Sequence, residues 1–211
     1  MLLASTTEWT VLYQHQDEFE LADKNSLTTL PILPKEWRVS FDLNPTRMAN
    51  NSSTDWNSIF QMHVRGSNWP EVGCKIPEVH FDGKNQNKLK IQSAVNCETV
   101  NLGFDKMPML KQNNWISIKI IQKLESSGIY RTKILIDDTL LYSTENKQPQ
   151  TFEDVQVYAS NSLTSGHSGR MKKLRITGRD LQGNIQSCPL KNLKVWRIFI
   201  VICCLNMKTN L

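Results

Sequence analysis

LPILPKEWRVSFDL, residues Leu30 to Leu43, is a strand with both of its ends marked. Pro31 and Pro34 hold the approach extended, because proline fixes φ and pushes the residue before it out of the helical region. Trp37, Val39, Phe41 and Leu43 then alternate with Arg38, Ser40 and Asp42, and Pro45 closes the run. That is the period of a strand with one wet face. Four large apolar residues on one face need a facing sheet to bury them, so the stretch implies a β-sandwich.

The same pattern recurs along the chain. Trp9, Val11 and Tyr13 mark a first strand, and Leu27 to Leu33 an edge strand where prolines are tolerated. Ser58, Phe60, Met62 and Val64 share one phase, which puts His63 in the opposite, wetter phase as a surface residue. Pro77 to Phe81 and Lys88 to Val95 pair as a hairpin when Phe81 faces Leu89 and Val79 faces Ile91. WISIKIIQKL, YRTKILI and TLLYS follow as a meander with a tight turn at Asp137-Asp138. Val155 to Ala159 and Met171 to Thr177 supply the last strands. No segment up to Gly178 keeps a helical period. The expectation is an all-β fold, a two-sheet antiparallel jelly-roll sandwich over residues 7–178.

Residues 179–211 differ in character and form a non-conforming tail outside that domain. Ile198 to Leu205, IFIVICCL, is an apolar run with no alternation. A bilayer-spanning helix needs about 20 such residues, so no membrane span is expected. The tail reads as mispredicted or read-through sequence ahead of a peripheral anchor.

The 211 residues carry a net charge of +5, from 25 basic and 20 acidic side chains. A solvated basic surface accounts for this mild excess better than nucleic-acid binding does. The N-terminus MLLASTTEWT has no basic n-region and no recognisable signal peptide. Two readings stay open: a cytosolic protein, or a sequence that begins inside a longer secreted chain.

Chemistry-bearing residues are sparse. The five cysteines show no zinc-ligand spacing and no CxxC pair. Extending the expected hairpin register brings Cys74 opposite Asn96, one residue from Cys97, within reach of a disulfide. Two free thiols compete with that bridge and are slightly favoured. Asn50 and Asn51 each head an N-x-S sequon, a glycan acceptor if the chain is secreted. Asp82, Asn85 and Asn87 offer oxygens in the DGKNQN link, but not in the order of a helix-loop-helix calcium loop. A plain hairpin turn is favoured there, and no metal site or cofactor is expected. Trp69, in a Gly-, Asn- and Pro-rich loop, reads as a lid over the core edge ahead of a sugar-stacking platform.

Four stretches in combination carry a resemblance: LPILPKEWRVSFDLNPT, NNWISIKIIQK, YRTKILIDDTLLYSTENKQPQTFEDVQVYAS and GRMKKLRITG. Together they resemble the concanavalin A-like lectin/glucanase superfamily, and within it the laminin-G-like domains multiplied in cnidarian and other invertebrate genomes. The resemblance covers about residues 7–177 and leaves the tail without a counterpart. It implies an extracellular module whose partner is a glycan or an extracellular protein, bound through rim loops where Trp69, His80, Asp82 and Asn85 gather. Some laminin-G-like domains bind calcium at the rim, but no matching ligand set is present here.

Hydrolysis is the alternative on this scaffold, since fold does not choose among its functions. The glucanase branch uses an E-x-D-x-x-E strand, and no such spacing occurs here. Glu153 and Asp154 are adjacent and so point to opposite faces of any strand they join. No G-x-S-x-G, metal-binding histidine pair or P-loop is present either. The expectation is a non-catalytic binding module, with a degenerate or unrecognised glycoside hydrolase as the alternative.

Overall fold

The computed structural model describes residues 8–22, 24–46, 57–67, 72–82, 88–160 and 169–179. Thirteen strands follow in chain order: β1 (Thr10–His15), β2 (Phe19–Glu20), β3 (Ser26–Leu33), β4 (Glu36–Pro45), β5 (Asn57–Val64), β6 (Glu78–Phe81) and β7 (Leu89–Val95) come first. They continue as β8 (Glu98–Asn101), β9 (Ile116–Leu124), β10 (Tyr130–Ile136), β11 (Thr139–Glu145), β12 (Phe152–Tyr158) and β13 (Gly169–Arg179). A single 3₁₀ turn at Phe104–Lys106 is the sole helical element among the described residues.

Two antiparallel sheets result. Sheet A runs β1-β13-β4-β9-β10-β11, with β2 beside β13, and sheet B runs β3-β12-β5-β6-β7-β8. This is the sandwich that the alternation in β4 demanded, since Trp37, Val39, Phe41 and Leu43 are all buried between the sheets. Phe41 of sheet A meets Phe60 of sheet B with ring centroids 5.5 Å apart. Ile118, Ile120, Ile134 and Ile176 complete sheet A's inner layer, and Val79, Ile91, Val155 and Val157 that of sheet B.

Several local signals act as read. β3 is an edge strand, bonded on one side to β12, where Pro31 forfeits no ladder bond in the sheet interior. The two residues between β3 and β4, Pro34-Lys35, carry the chain from sheet B into sheet A. Asp137 and Asp138 both have positive φ, 49° and 62°, the turn that matches strand twist between β10 and β11. The β6–β7 ladder pairs Glu78 with Gln92, Val79 with Ile91, His80 with Lys90 and Phe81 with Leu89, the register expected from the apolar phases.

A buried amide network ties the crossing to both sheets. Gln122 of β9 donates from Nε2 to the Lys35 carbonyl at 2.8 Å, and its Oε1 accepts from Asn146 Nδ2 at 2.7 Å. Asn146 in turn accepts the Asn96 backbone N–H at 2.9 Å, from the turn between β7 and β8. Each buried amide is thereby partnered, which removes the cost of desolvating it unpaired.

Three expectations are corrected. His63 is not a surface residue but is 8% exposed, because its ring stacks on Tyr158 among the polar side chains of sheet B's outer face. Of the two readings of Cys74 and Cys97, the bridge between them is absent and the favoured pair of free thiols holds only at Cys74, a buried free thiol, since Cys97 is disulfide-bonded elsewhere. The β6–β7 ladder stops at Glu78 and Gln92, and β7 itself ends at Val95, where Asn96 and Cys97, at φ 54° and 58°, turn the chain into β8. Cys97 therefore lies beside Gln150, whose Nε2 donates to its Sγ at 3.1 Å, and Cys74 beside Thr99. Lastly, Glu153 and Asp154 are both exposed instead of opposed, because the left-handed backbone at Asp154 (φ 50°) breaks the alternation.

The tail, Trp69, Asn85 and the sequon residues Asn50 and Asn51 lie outside the described residues. No described helix is long and apolar enough to cross a membrane.

Candidate functional site

The outer face of sheet B is polar where a sandwich without a ligand would need only solvated side chains. Its residues occupy the phase opposite the core: Gln61 and His63 on β5, Glu78 and His80 on β6, Lys90 and Gln92 on β7, and Tyr158 on β12. Strand pairing lines them up. Tyr158 faces Gln61, Gln61 faces Glu78, Glu78 faces Gln92 and Gln92 faces Asn101, one row across five strands. At about 4.8 Å per strand the row is about 19 Å long. Gln156 faces His63, and His80 faces Lys90, on either side of it.

The row is held by its own contacts. Gln92 Nε2 donates to Asn101 Oδ1 at 2.8 Å, and its Oε1 accepts from Lys75 Nζ. Lys75 also pairs with Glu78 at 2.6 Å. Gln61 Nε2 donates to the Cys74 carbonyl at 3.2 Å. The His63 ring stacks on Tyr158 with centroids 5.5 Å apart and 25° between planes, and its Nδ1 lies 3.1 Å from the Val64 carbonyl. Donation from Nδ1–H fixes the tautomer and leaves Nε2 as an acceptor. Among the described residues neither His63 Nε2 nor Gln61 Oε1, both buried, has a hydrogen-bond partner.

Electrostatics keep the imidazoles neutral. Burial first, then the Lys75 and Lys90 charges, push His80 down to about 3. Glu78 comes within 3.9 Å of His80 Nδ1 without protonating it, since Lys75 already engages that carboxylate. Burial likewise lowers His63, against the opposing pull of the Val64 carbonyl and Glu78. Lys90 is also lowered by burial, with Asp82 opposing. A hydrogen-bonding surface whose imidazoles are neutral and whose Lys75 and Glu78 charges offset each other, with one aromatic ring, suits hydroxyl-rich ligands.

His80 lies on β6 and Asp82 just past its end, where Asp82 N bonds the Lys88 carbonyl at 3.0 Å, while Trp69 and Asn85, the other members of the expected cluster, lie outside the described residues. Sequence reasoning passed over Gln61, His63, Glu78, Lys90, Gln92 and Tyr158. The signal was available in the hairpin register, which sets Glu78 against Gln92 and His80 against Lys90. Among the described residues, no group of three His, Cys, Asp or Glu side chains converges to hold a metal ion.

Fold and face together define a β-sandwich module with a polar outer sheet. No family model matches the chain, and no curated protein does. Solved structures do. The receptor binding domain of botulinum neurotoxin mosaic serotype C/D is 11% identical with a TM-score of 0.51, covering 83% of this chain and 42% of that one. The binding domain of botulinum neurotoxin DC in complex with SialylT is also 11% identical, with a TM-score of 0.50, covering 83% and 43%. Domain 4 of AbnA, a GH43 extracellular arabinanase from Geobacillus stearothermophilus, in complex with arabinotriose, is 11% identical at a TM-score of 0.49, covering 82% and 94%. The chain spans less than half the length of the two neurotoxin domains. At such identities the likeness is one of fold, a two-sheet antiparallel β-sandwich.

Proposed function

We propose that the chain is a non-catalytic, extracellular binding module of laminin-G-like kind that recognises a glycan on the polar face of sheet B. The observation that carries this is the pair of buried, unpartnered acceptors, His63 Nε2 and Gln61 Oε1, beside the Tyr158 ring. Sugar hydroxyls donate to such acceptors, while the aromatic body takes the apolar face of a pyranose. The glycans bound by two of the neighbouring structures, SialylT and arabinotriose, agree with this class of ligand. A disulfide at Cys97 agrees with an oxidising compartment.

The hydrolase alternative has less support from the residues. Glu78 and Asp82 are the carboxylates near His80 on sheet B's polar face, and Glu78 is already ion-paired with Lys75 at 2.6 Å.

A glycan array, run with and without calcium, followed by calorimetry on the strongest hit, tests the proposal. The His63→Ala and Tyr158→Ala variants should each weaken binding by about tenfold, the scale of one lost hydrogen bond or stacking contact. Wild-type protein that binds no glycan, or folded variants that bind as well as wild type, would refute it. Release of new reducing ends from a bound oligosaccharide would instead establish the catalytic reading.

A further inference from the structure

The cations on and beside the polar face of sheet B are matched by acids. Lys75 pairs with Glu78, and Arg65, just past β5, pairs with Asp154 at 2.9 Å. The Asp82 charge supports that of Lys90. At the middle of the five-strand row, then, stands a carboxylate that already has its counter-ion. Glu78 is only 5% exposed, so this pair is largely desolvated and removing either partner would strand the other.

Lys75 is placed there by the backbone. The segment ahead of β6 runs beside β5, with Ile76 N bonded to the Met62 carbonyl and Val64 N to the Gly73 carbonyl, both at 2.8 Å. From that fixed base the ammonium reaches two members of the row, Glu78 and Gln92. The neighbouring positions on β5 offer acceptors, since Gln61 Oε1 and His63 Nε2 are buried without partners. The row thus combines a neutralised charge pair with acceptors that lack donors.

We propose that the Lys75–Glu78 pair makes this face selective for uncharged sugars over uronic acids, with Glu78 as the specificity-determining residue. The inference rests on the glycan reading above and narrows it. An ionised carboxylate on a ligand can only accept hydrogen bonds. Beside Gln61 Oε1, His63 Nε2 and Glu78 it would meet acceptors and a like charge. Capturing it with Lys75 would mean giving up a desolvated ion pair and leaving Glu78 uncompensated. A hydroxyl in the same place donates to an acceptor and disturbs no charge. Attraction for one sugar and rejection of the other come from the same row.

Matched β-1,4-linked oligosaccharides isolate the charge: mannan against mannuronan, and cellulose against glucuronan, where a hydroxymethyl group is replaced by a carboxylate. At neutral pH and fixed salt, the full chain should bind the uncharged member of a pair about tenfold or more tightly than the acidic one. Glu78→Gln keeps the side chain's shape and turns Lys75 towards the ligand's carboxylate, so the ratio should fall to about one or invert. Lys75→Gln leaves Glu78 uncompensated, and the ratio should rise by about threefold or more. A ratio measured on one sample stays readable in a variant whose folded fraction is reduced. Equal binding of both members, a preference for the uronate, or an unchanged ratio in both variants overturns this inference and leaves the glycan reading standing. Wild type that binds no uncharged member also overturns it, and the glycan reading falls too if the wider glycan array is blank.

Discussion

Phe41 and Arg38 sit three positions apart on one strand and report on opposite faces of it. Phe41 is buried against Phe60 across the inter-sheet space. Phe41→Ala should cost about 3–5 kcal/mol in chemical denaturation, because the cavity it leaves is walled by two rigid sheets. Arg38→Ala should cost only about 0.5–1 kcal/mol, the worth of its contact with Trp9. Equal losses at the two positions would contradict the inside-outside assignment of β4. At this scale the core was legible, because period-2 alternation records which side of a sheet is dry. His63 was misread for the same reason. Alternation separates inner from outer face, but it cannot tell solvated outer side chains from ones that pack against each other, as His63 does on Tyr158.

Between elements, pairing was legible wherever a turn fixed it. The β6–β7 register followed from matching Phe81 with Leu89, and the β10–β11 turn from Asp137-Asp138. Extension of the β6–β7 ladder to Cys74 failed, because Asn96 and Cys97 form the next turn instead of continuing the strand. The residues before β6 pair with β5 instead, Ile76 N bonding the Met62 carbonyl at 2.8 Å and Val64 N the Gly73 carbonyl at 2.8 Å. Registers are local statements, and a two-residue turn such as Asn96-Cys97 ends them. Peptide mapping of unreduced, unfolded protein should find Cys74 alkylated as a free thiol and Cys97 protected until reductant is added. Burial raises the Cys74 thiol pKa, so in the native state it should react slowly even at mildly alkaline pH. A Cys74–Cys97 peptide in the unreduced digest would overturn this pairing.

For the molecule as a whole, the polar face of sheet B shapes the response to acid. His80 titrates at about 3 in the folded protein, below the ordinary 6.5 that it regains on unfolding. The unfolded state therefore binds the proton first, and the stability this histidine confers is complete above pH 6.5. It is lost as pH falls from 6.5 towards 3, at up to about 1.4 kcal/mol per pH unit. His63, also lowered, adds a contribution of the same sign. Urea midpoints between pH 7 and pH 4 should fall steeply for wild type and less steeply for His80→Gln. Parallel slopes would show that His80 does not govern the acid limb. The site behind this behaviour was only partly legible: His80 and Asp82 could be singled out, whereas Gln61, Gln92 and Tyr158 acquire meaning only once five strands are set side by side.

The pairing of β1 with β13 has a mechanical consequence. Thr10 opens β1 opposite Gly178 near the end of β13, so the two outermost points of the sandwich's chain lie side by side at one end of one ladder. A load applied through them pulls the strands apart along their hydrogen bonds, which then break in sequence from that end and not all at once. Stretched between Thr10 and Gly178, the sandwich should unzip at low force. Held between Thr10 and Leu174, which pairs with His15 at the far end of the same ladder, it loads the β1–β13 bonds together in shear and should resist markedly more. Single-molecule pulling with the two attachment pairs distinguishes these outcomes, and equal rupture forces would contradict the ladder as the first point of failure.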